Sequence, residues 1–232
     1  MKAAIMQPYF FPYIGYFQLI NAVDTFVVFD DVNYIKKGWI NRNNILVNGN
    51  SILFSVPLKE VSQNKLINQI LIDENSSWNM DLLKTITISY KKTPYFLEAI
   101  KIVSEILLHE EQHLAKFITF SLQKICEYLN INTKIILSSE IEKDSTLKAQ
   151  DKIIEICRKL DADHYINAIG GKALYDKEVF SKNNIKLNFI ESRPIHYQQF
   201  KNEFIPWLSI IDVMMFNSVD EIKAMLNNYE LG

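Results

Sequence analysis

The stretch that decides the fold runs from residue 3 to residue 31 and reads AAIMQPYFFPYIGYFQLINAVDTFVVFDD. It divides into a short apolar strand, a loop, a run with helical spacing and a second, almost continuously apolar strand, at 3–6, 7–13, 14–23 and 25–29. Strand, loop, helix and strand in this order predict a βαβ unit, because a parallel pair needs such a crossover. An apolar second strand is typical of burial on both faces of a parallel sheet.

The same reasoning extends this unit along the chain. Asn48-Gly49 separates two apolar runs, which predicts an antiparallel hairpin between 45–47 and 52–56. Further strands are predicted at 68–72, 134–137, 164–167 and 186–190, and helices at 77–90, 95–130, 148–160, 208–215 and 219–226. We therefore predict one α/β domain over residues 1–232, with a mostly parallel Rossmann-like sheet, a small hairpin and a helical insertion at roughly 75–130.

Composition narrows the class of protein. The chain has 232 residues, of which 48% are apolar, so it can bury a sizeable core. A formal charge of −2 gives no electrostatic reason to expect nucleic acid or an anionic membrane as a partner. No apolar run is long enough to span a membrane, and the first residues do not form a signal peptide. Cys126 and Cys157 lie in separate helical patterns, and we expect buried thiols in a reducing cytoplasm.

Polar or flexible residues follow two of the predicted strands, where ligands bind in doubly wound sheets. Asp30 and Asp31 end the second strand and can hold sugar hydroxyls, an ammonium group or a divalent ion, or can form a solvated turn or helix cap. Gly170 and Gly171 follow the strand at 164–167. Two glycines there let the backbone approach a phosphate or sugar closely, although a plain tight turn uses the same residues.

Aromatic and basic residues surround the opening loop. Tyr9, Tyr13 and Tyr16 offer apolar rings with hydroxyl tips, which together with Gln7 can hold a sugar or base, although some of the aromatic rings here can simply pack on the first helix. Arg42 lies in the segment YIKKGWINRNNI, whose cations, tryptophan and amides suit a nucleotide diphosphate. The alternative for this segment is a solvated loop beside the hairpin.

A second aromatic, proline-containing segment lies near the C-terminus, at 193–217. His196 is a candidate general base, although a lone histidine is more often structural. Arg193 is a further candidate, and Tyr197 and Asp212 are candidate binding residues. Asp212 interrupts the apolar run SIIDVMMF, so its carboxylate needs a partner or a cavity. Four scattered histidines and two separate cysteines predict no metal site.

The whole chain resembles the WbqC-like family through QPYFFPYIGYFQLI, DTFVVFDDVNYIKKGWINRNNI, YINAIGGKALY and YQQF…F.P.LSIIDVMMFN. This family is associated with gene clusters for O-antigen and other surface polysaccharides. The resemblance implies a cytoplasmic bacterial transferase that acts on a nucleotide-linked sugar. Acyl or aminoacyl transfer onto an amino sugar, from a small acyl or aminoacyl donor, is the reaction we expect. Asp30, Asp31 or His196 would then be the base.

Residues 3–31 are also similar to the opening of the HIGH-type nucleotidyltransferases, a nucleotidyltransferase or HUP-like fold. Tyr13-Ile14-Gly15-Tyr16 stands where HxGH would be, with Gly15 at the helix start as an expected point of close ligand approach. Both histidines are replaced, which argues against the usual adenylyl transfer. The alternatives are an ATP-dependent ligase or nucleotidyltransferase with degenerate residues, and a non-catalytic protein that binds a sugar nucleotide. No cofactor is evident, and a nucleotide or nucleotide-linked sugar is the expected ligand.

Overall fold

The computed structural model describes residues 1–201 and 203–232. The strands are β1 (Lys2–Met6), β2 (Thr25–Val28), β3 (Arg42–Val47), β4 (Asn50–Ser55), β5 (Leu58–Lys59), β6 (Leu71–Ile72), β7 (Lys134–Leu137), β8 (His164–Ala168), β9 (Lys186–Ser192) and β10 (Tyr229–Leu231). The helices are α1 (Ile14–Asn21), α2 (Trp78–Tyr90), α3 (Phe96–Leu107), α4 (Leu114–Tyr128), α5 (Ala149–Lys159), α6 (Lys177–Lys182), α7 (Ile210–Phe216) and α8 (Val219–Leu226). Short 3-10 turns cover Ile67–Gln69, Ser138–Glu140 and Ile169–Leu174.

The central sheet has six strands in the order β10-β9-β8-β1-β2-β7. All neighbouring pairs are parallel except β10 with β9. In chain order, β2 and then β7 are added on one side of β1. The strands β8 and β9 are then added on the other side of β1. The predicted α/β fold with a mostly parallel sheet is therefore confirmed, and its switch point lies between β1 and β8.

The sheet separates two apolar cores, because successive side chains of a strand point to opposite faces. On β1, Ala4 packs into the larger core, while Ala3 and Ile5 pack into the smaller one. The larger core also receives the buried faces of α1–α4, α7 and α8. The smaller core is closed by α5 and by Phe180 of α6. Helices thus cover both faces of the sheet, which explains why its inner strands are apolar throughout.

The predicted hairpin forms between β3 and β4, with Val47 opposite Asn50 and Arg42 opposite Ser55. At the turn between the strands, Asn48 has φ 50° and Gly49 has φ 76°. Two successive positive φ angles are those of a type I′ turn, which asparagine and glycine adopt most easily.

Three local expectations differ from the structure. The helix predicted at 95–130 is two helices, because the polar run after Leu107 leaves helical geometry and the Ile72 amide donates to the Gln112 carbonyl. Within 68–72 only Leu71–Ile72 is a strand, and it pairs with β5. The terminal strand β10 was not predicted, because three residues carry too short a pattern.

Both cysteines are free and buried, as predicted. Cys126 lies in the larger core and Cys157 in the smaller one. In the described part of the chain, no helix has the length and apolar character needed to cross a membrane.

Candidate functional site

A cavity of about 420 Å³ opens beside the carboxyl end of β9. The last residues of β9, the start of α1 and the segment after β9 enclose it. Its volume lies within the range typical of small-molecule sites. Its lining consists of Tyr13, Ile14, Glu191, Ser192, Arg193, Pro194, Ile195, His196, Tyr197, Phe204, Pro206, Trp207, Leu208 and Val213. We call it the large cavity.

A second cavity, of about 180 Å³, adjoins the first and is here called the small cavity. Tyr13 and Trp207 line both cavities, and their ring centroids are 5.7 Å apart with an interplanar angle of 64°. These two rings are therefore a shared wall. The other residues of the small cavity are Tyr9, Pro12, Trp39 and Asn43.

The two tyrosines of the small cavity remain hydrogen-bond donors. Burial raises the pKa of Tyr9 and of Tyr13 above the usual phenol value, and the neighbouring Tyr13 adds to the effect on Tyr9. Both hydroxyls therefore stay protonated at physiological pH. Neither hydroxyl is hydrogen-bonded to another residue in the described ranges, which leaves both available to a ligand.

The start of α1 explains why glycine stands at position 15. A Cβ there would lie 2.3 Å from the Tyr13 ring and 2.7 Å from the Ser192 hydroxyl. The Tyr13 ring thus covers Gly15 and is held at the wall between the cavities. Tyr16 is buried instead, and its hydroxyl donates to the Gln7 carbonyl at 2.7 Å. The two tyrosines at the HxGH positions therefore point to different environments, one to the cavities and one to the core.

Charged and polar groups mark one side of the large cavity. Arg193 donates from Nε and a terminal nitrogen to Glu230 Oε1, at 3.0 and 2.8 Å, which fixes its guanidinium beside the cavity. The His196 ring is exposed and lies 5.0 Å from the Phe204 ring. Tyr13 supplies no side-chain cap to α1, but its carbonyl accepts from the Tyr16 amide at 3.0 Å.

Asp212 lies outside both cavities, directly behind Tyr197. Its side chain is completely buried and accepts hydrogen bonds from Tyr197 at 2.6 Å, Gln199 at 2.8 Å and Tyr90 at 2.9 Å. Burial raises the pKa of Asp212, and the three donors partly oppose this shift. Asp212 therefore positions Tyr197 at the cavity wall rather than meeting a ligand itself.

The acidic pair after β2 is engaged by protein groups. Asp30 accepts from the Ser139 amide at 2.9 Å and from the Ser139 hydroxyl at 2.6 Å. Asp31 Oδ2 forms ion pairs with Lys143 at 2.9 Å and Lys152 at 3.0 Å. Burial would raise the pKa of Asp31, but its polar partners, including both lysines, outweigh burial and lower it. The pair thus ties the end of β2 to the β7–α5 connection and to α5.

The predicted residues Arg42, Gly170 and Gly171 line neither cavity. Arg42 donates to the carbonyls of Gly38 and Lys37, and its guanidinium lies 5.7 Å from the Trp39 ring centroid, next to the small cavity. Gly170 and Gly171 lie in the 3-10 turn after β8 and line neither cavity.

The structure therefore brings together Tyr9, Tyr13, His196 and Tyr197 from the predicted set. Trp207 was not singled out in the sequence, although the aromatic and proline-containing segment around it gave a weak indication. Across residues 1–201 and 203–232, no three His, Cys, Asp or Glu side chains are grouped as a metal site requires.

Comparison with known proteins gives two matches. A family profile described as the WbqC-like protein family matches residues 7–224. The uncharacterized protein Rv1507c of Mycobacterium tuberculosis is 29% identical over 220 residues, which covers 93% of each chain. No solved structure matches the chain.

Proposed function

Because the chain belongs to the WbqC-like protein family, we propose that it is a transferase of bacterial surface-polysaccharide biosynthesis that modifies a nucleotide-linked amino sugar. The observation that supports this most is the pair of adjoining cavities with a common wall of Tyr13 and Trp207. Two cavities that share a wall can hold the nucleotide and the sugar of one such ligand side by side.

The large cavity suits the diphosphate of the nucleotide-linked sugar and the proton transfer of the reaction. The Arg193 guanidinium, which pairs with Glu230 beside the cavity, favours a diphosphate on this side. The cavity also holds His196, the candidate base on its rim. Among the three predicted bases, His196 is the one at a cavity, since Asp30 and Asp31 are bound by serine and lysine groups.

The proposed reaction is acyl or aminoacyl transfer from an activated donor such as a thioester. The sugar amine attacks the acyl carbon, so a C–N bond forms and the bond to the thiol breaks. His196 accepts the proton that the amine loses and returns it to the departing thiolate. The products are an amide-bearing nucleotide sugar and a free thiol.

The test measures binding and product separately. Titration calorimetry with UDP-, dTDP- and GDP-linked amino sugars should reveal one that binds, and mass spectrometry with an acyl thioester should reveal its acylated product. Arg193→Gln removes a charged donor worth about 1.5–3 kcal/mol, so it should weaken nucleotide-sugar binding by about tenfold or more.

The matched control is Arg158→Gln, because Arg158 is exposed on α5, away from both cavities. Equal affinities in the two variants would contradict the placement of the phosphates beside Arg193. The absence of binding to every nucleotide sugar would remove the proposal itself.

A further inference from the structure

The small cavity is lined by four aromatic side chains, from Tyr9, Tyr13, Trp39 and Trp207. Two of the three tryptophans of the chain are therefore on this one cavity. Trp39 is 46% exposed and Trp207 is 71% exposed. Large rings this exposed in the lining of one cavity are expected to gain a partner when a ligand enters.

The backbone at Trp207 supports a binding role. Its φ angle is 63°, in the left-handed region that bulky side chains rarely adopt. Such a conformation costs on the order of 1–3 kcal/mol, and the exposed indole makes few contacts that offset this cost. This residue in a left-handed conformation lies in the lining of both cavities.

Charge at the small cavity excludes cationic ligands. Arg42 is held by two loop carbonyls with its guanidinium 5.7 Å from the Trp39 ring centroid. Aromatic cages bind quaternary ammonium groups through their ring faces, but here the protein already supplies a cation beside the ring. A ligand cation would meet like charge, so the ligand of this cavity carries no positive charge where it contacts the rings.

The shape and hydrogen-bonding groups favour a sugar ring over a nucleotide base. The ring planes of Tyr13 and Trp207 are inclined at 64° to each other, so these two rings do not form a flat slot for a planar base. The Asn43 amide donates to the Phe10 and Phe11 carbonyls, and its oxygen accepts from the Asn44 amide, so it cannot read a base edge. The Tyr9 and Tyr13 hydroxyls remain as single donors for separate hydroxyl groups.

We propose that the small cavity is the subsite for the sugar ring, an uncharged pyranose whose apolar C–H face packs against Trp39 and Trp207. This assignment rests on the proposed function, according to which the sugar is linked to a nucleotide. The nucleotide then lies in the large cavity. Arg42 also disfavours the ammonium form of an amino sugar, and the uncharged amine is the form that can attack an acyl carbon.

The first test uses intrinsic fluorescence in a Trp78→Phe background. Trp78 packs in the larger core against Phe10 and Phe117, so its removal leaves Trp39 and Trp207 as reporters. Methyl pyranosides should shift the emission in a saturable manner, whereas tetramethylammonium should not. A saturable response to tetramethylammonium, with none to the pyranosides, would overturn the assignment.

The second test compares a nucleotide sugar with the same nucleotide alone, in proteins that keep Trp78. Trp39→Ala should lower the affinity for the nucleotide sugar by about three- to tenfold and leave the affinity for the nucleotide unchanged. Trp207→Gly should lower the affinity for the nucleotide sugar to a similar extent. This variant should keep or raise the thermal stability of the protein, because glycine accepts the positive φ. An equal loss for sugar and nucleotide in Trp39→Ala would place the base, not the sugar, in this cavity.

The outcomes separate the two proposals. Pyranoside binding without any nucleotide binding would support the sugar subsite and remove the proposed function. Equal affinity for the nucleotide sugar and for the nucleotide alone, with binding of both intact, would overturn the sugar subsite and leave the proposed function standing.

Discussion

At the residue scale, the site depends on the contact between Gly15 and the Tyr13 ring. Gly15 lets the ring lie over the first turn of α1, with Ser192 on the other side. Tyr13 lines both cavities. A substitution at position 15 that moves the Tyr13 ring therefore alters both cavities, without direct contact between residue 15 and a ligand. The space that Gly15 leaves open beside the helix is thus occupied by the Tyr13 ring of the protein itself.

Gly15→Ala should displace the Tyr13 ring. Overpacking costs about 1–3 kcal/mol, and the better helix propensity of alanine offsets about 0.5–1 kcal/mol of it. The net stability loss should be small, while affinity for the nucleotide sugar should fall clearly. Urea unfolding and calorimetric titration measure the two effects.

Gly170→Ala is the matched control, since a Cβ there meets no atom within 4 Å. It should change neither stability nor affinity. Wild-type affinity in Gly15→Ala would show that the position of the Tyr13 ring does not matter for binding.

At the scale of elements, Asp31 joins three parts of the sheet edge. It follows β2, while Lys143 lies in the β7–α5 connection and Lys152 on α5. The two lysine side chains are only 5% and 10% exposed. Buried ammonium groups need a nearby anion, so the carboxylate is required for the connection after β7 to fold back onto β2.

Asp31→Asn should destabilise the protein at neutral pH by about 3–5 kcal/mol, because it leaves two buried lysines without their shared partner. The folded-state pKa of Asp31 lies below its ordinary value of 3.8. Its contribution is therefore fully present above that pH and is lost as the pH falls through the folded-state pKa. Urea unfolding at a series of pH values should show the wild-type advantage shrinking in acid.

Glu105→Gln serves as the control at an exposed ion pair, Glu105 with Lys124. It should leave the unfolding free energy nearly unchanged. A similar loss in both variants, or a wild-type advantage that does not depend on pH, would show that the Asp31 cluster is not the source of stability.

At the scale of the whole molecule, the sheet couples two cores on its opposite faces, each of which holds one buried thiol. Burial raises the pKa of Cys126 and of Cys157 to about 12. Both thiols are therefore protonated and inaccessible in the folded state, and each one reports on the opening of its own face of the sheet.

Neither thiol should react with an aromatic disulfide reagent in the native protein at neutral pH. Cys126→Ala and Cys157→Ala leave one reporter each, and both should be labelled at the rate of global unfolding. Denatured protein, which should react at both positions, is the reference. Much faster labelling of one variant in native buffer would mean that one face opens independently.

Local patterns in the chain allowed much of the fold to be predicted. The alternation of apolar strands with helical spacing gave β1, α1 and β2 nearly to the residue, and Asn48-Gly49 gave the hairpin. The break between α3 and α4 could not be predicted in this way, since it depends on pairing of the connecting backbone with a distant strand. The same holds for β10, which is a strand only because the edge of β9 is available to it.

The segments that form the candidate site could be predicted from the sequence, but the full set of residues that line it could not. The aromatic opening loop and the segment with His196 and Tyr197 were identified from residue types, and they meet at the large cavity. Asp30 and Asp31 were placed correctly at a strand end, yet serine and lysine groups from elsewhere in the chain occupy them. Those partners lie more than a hundred positions away, so no local pattern indicates them.

The layered α/β fold can be read from the sequence, because burial on one or both faces of a strand leaves a period along the chain. Which aromatic residues line the cavities depends on tertiary packing. Tyr13, Trp39 and Trp207 come from three separate segments, and they line one cavity because the start of α1, the segment before the hairpin and the chain after β9 meet there. A cavity is the space that packing leaves unfilled, and that space belongs to no single segment.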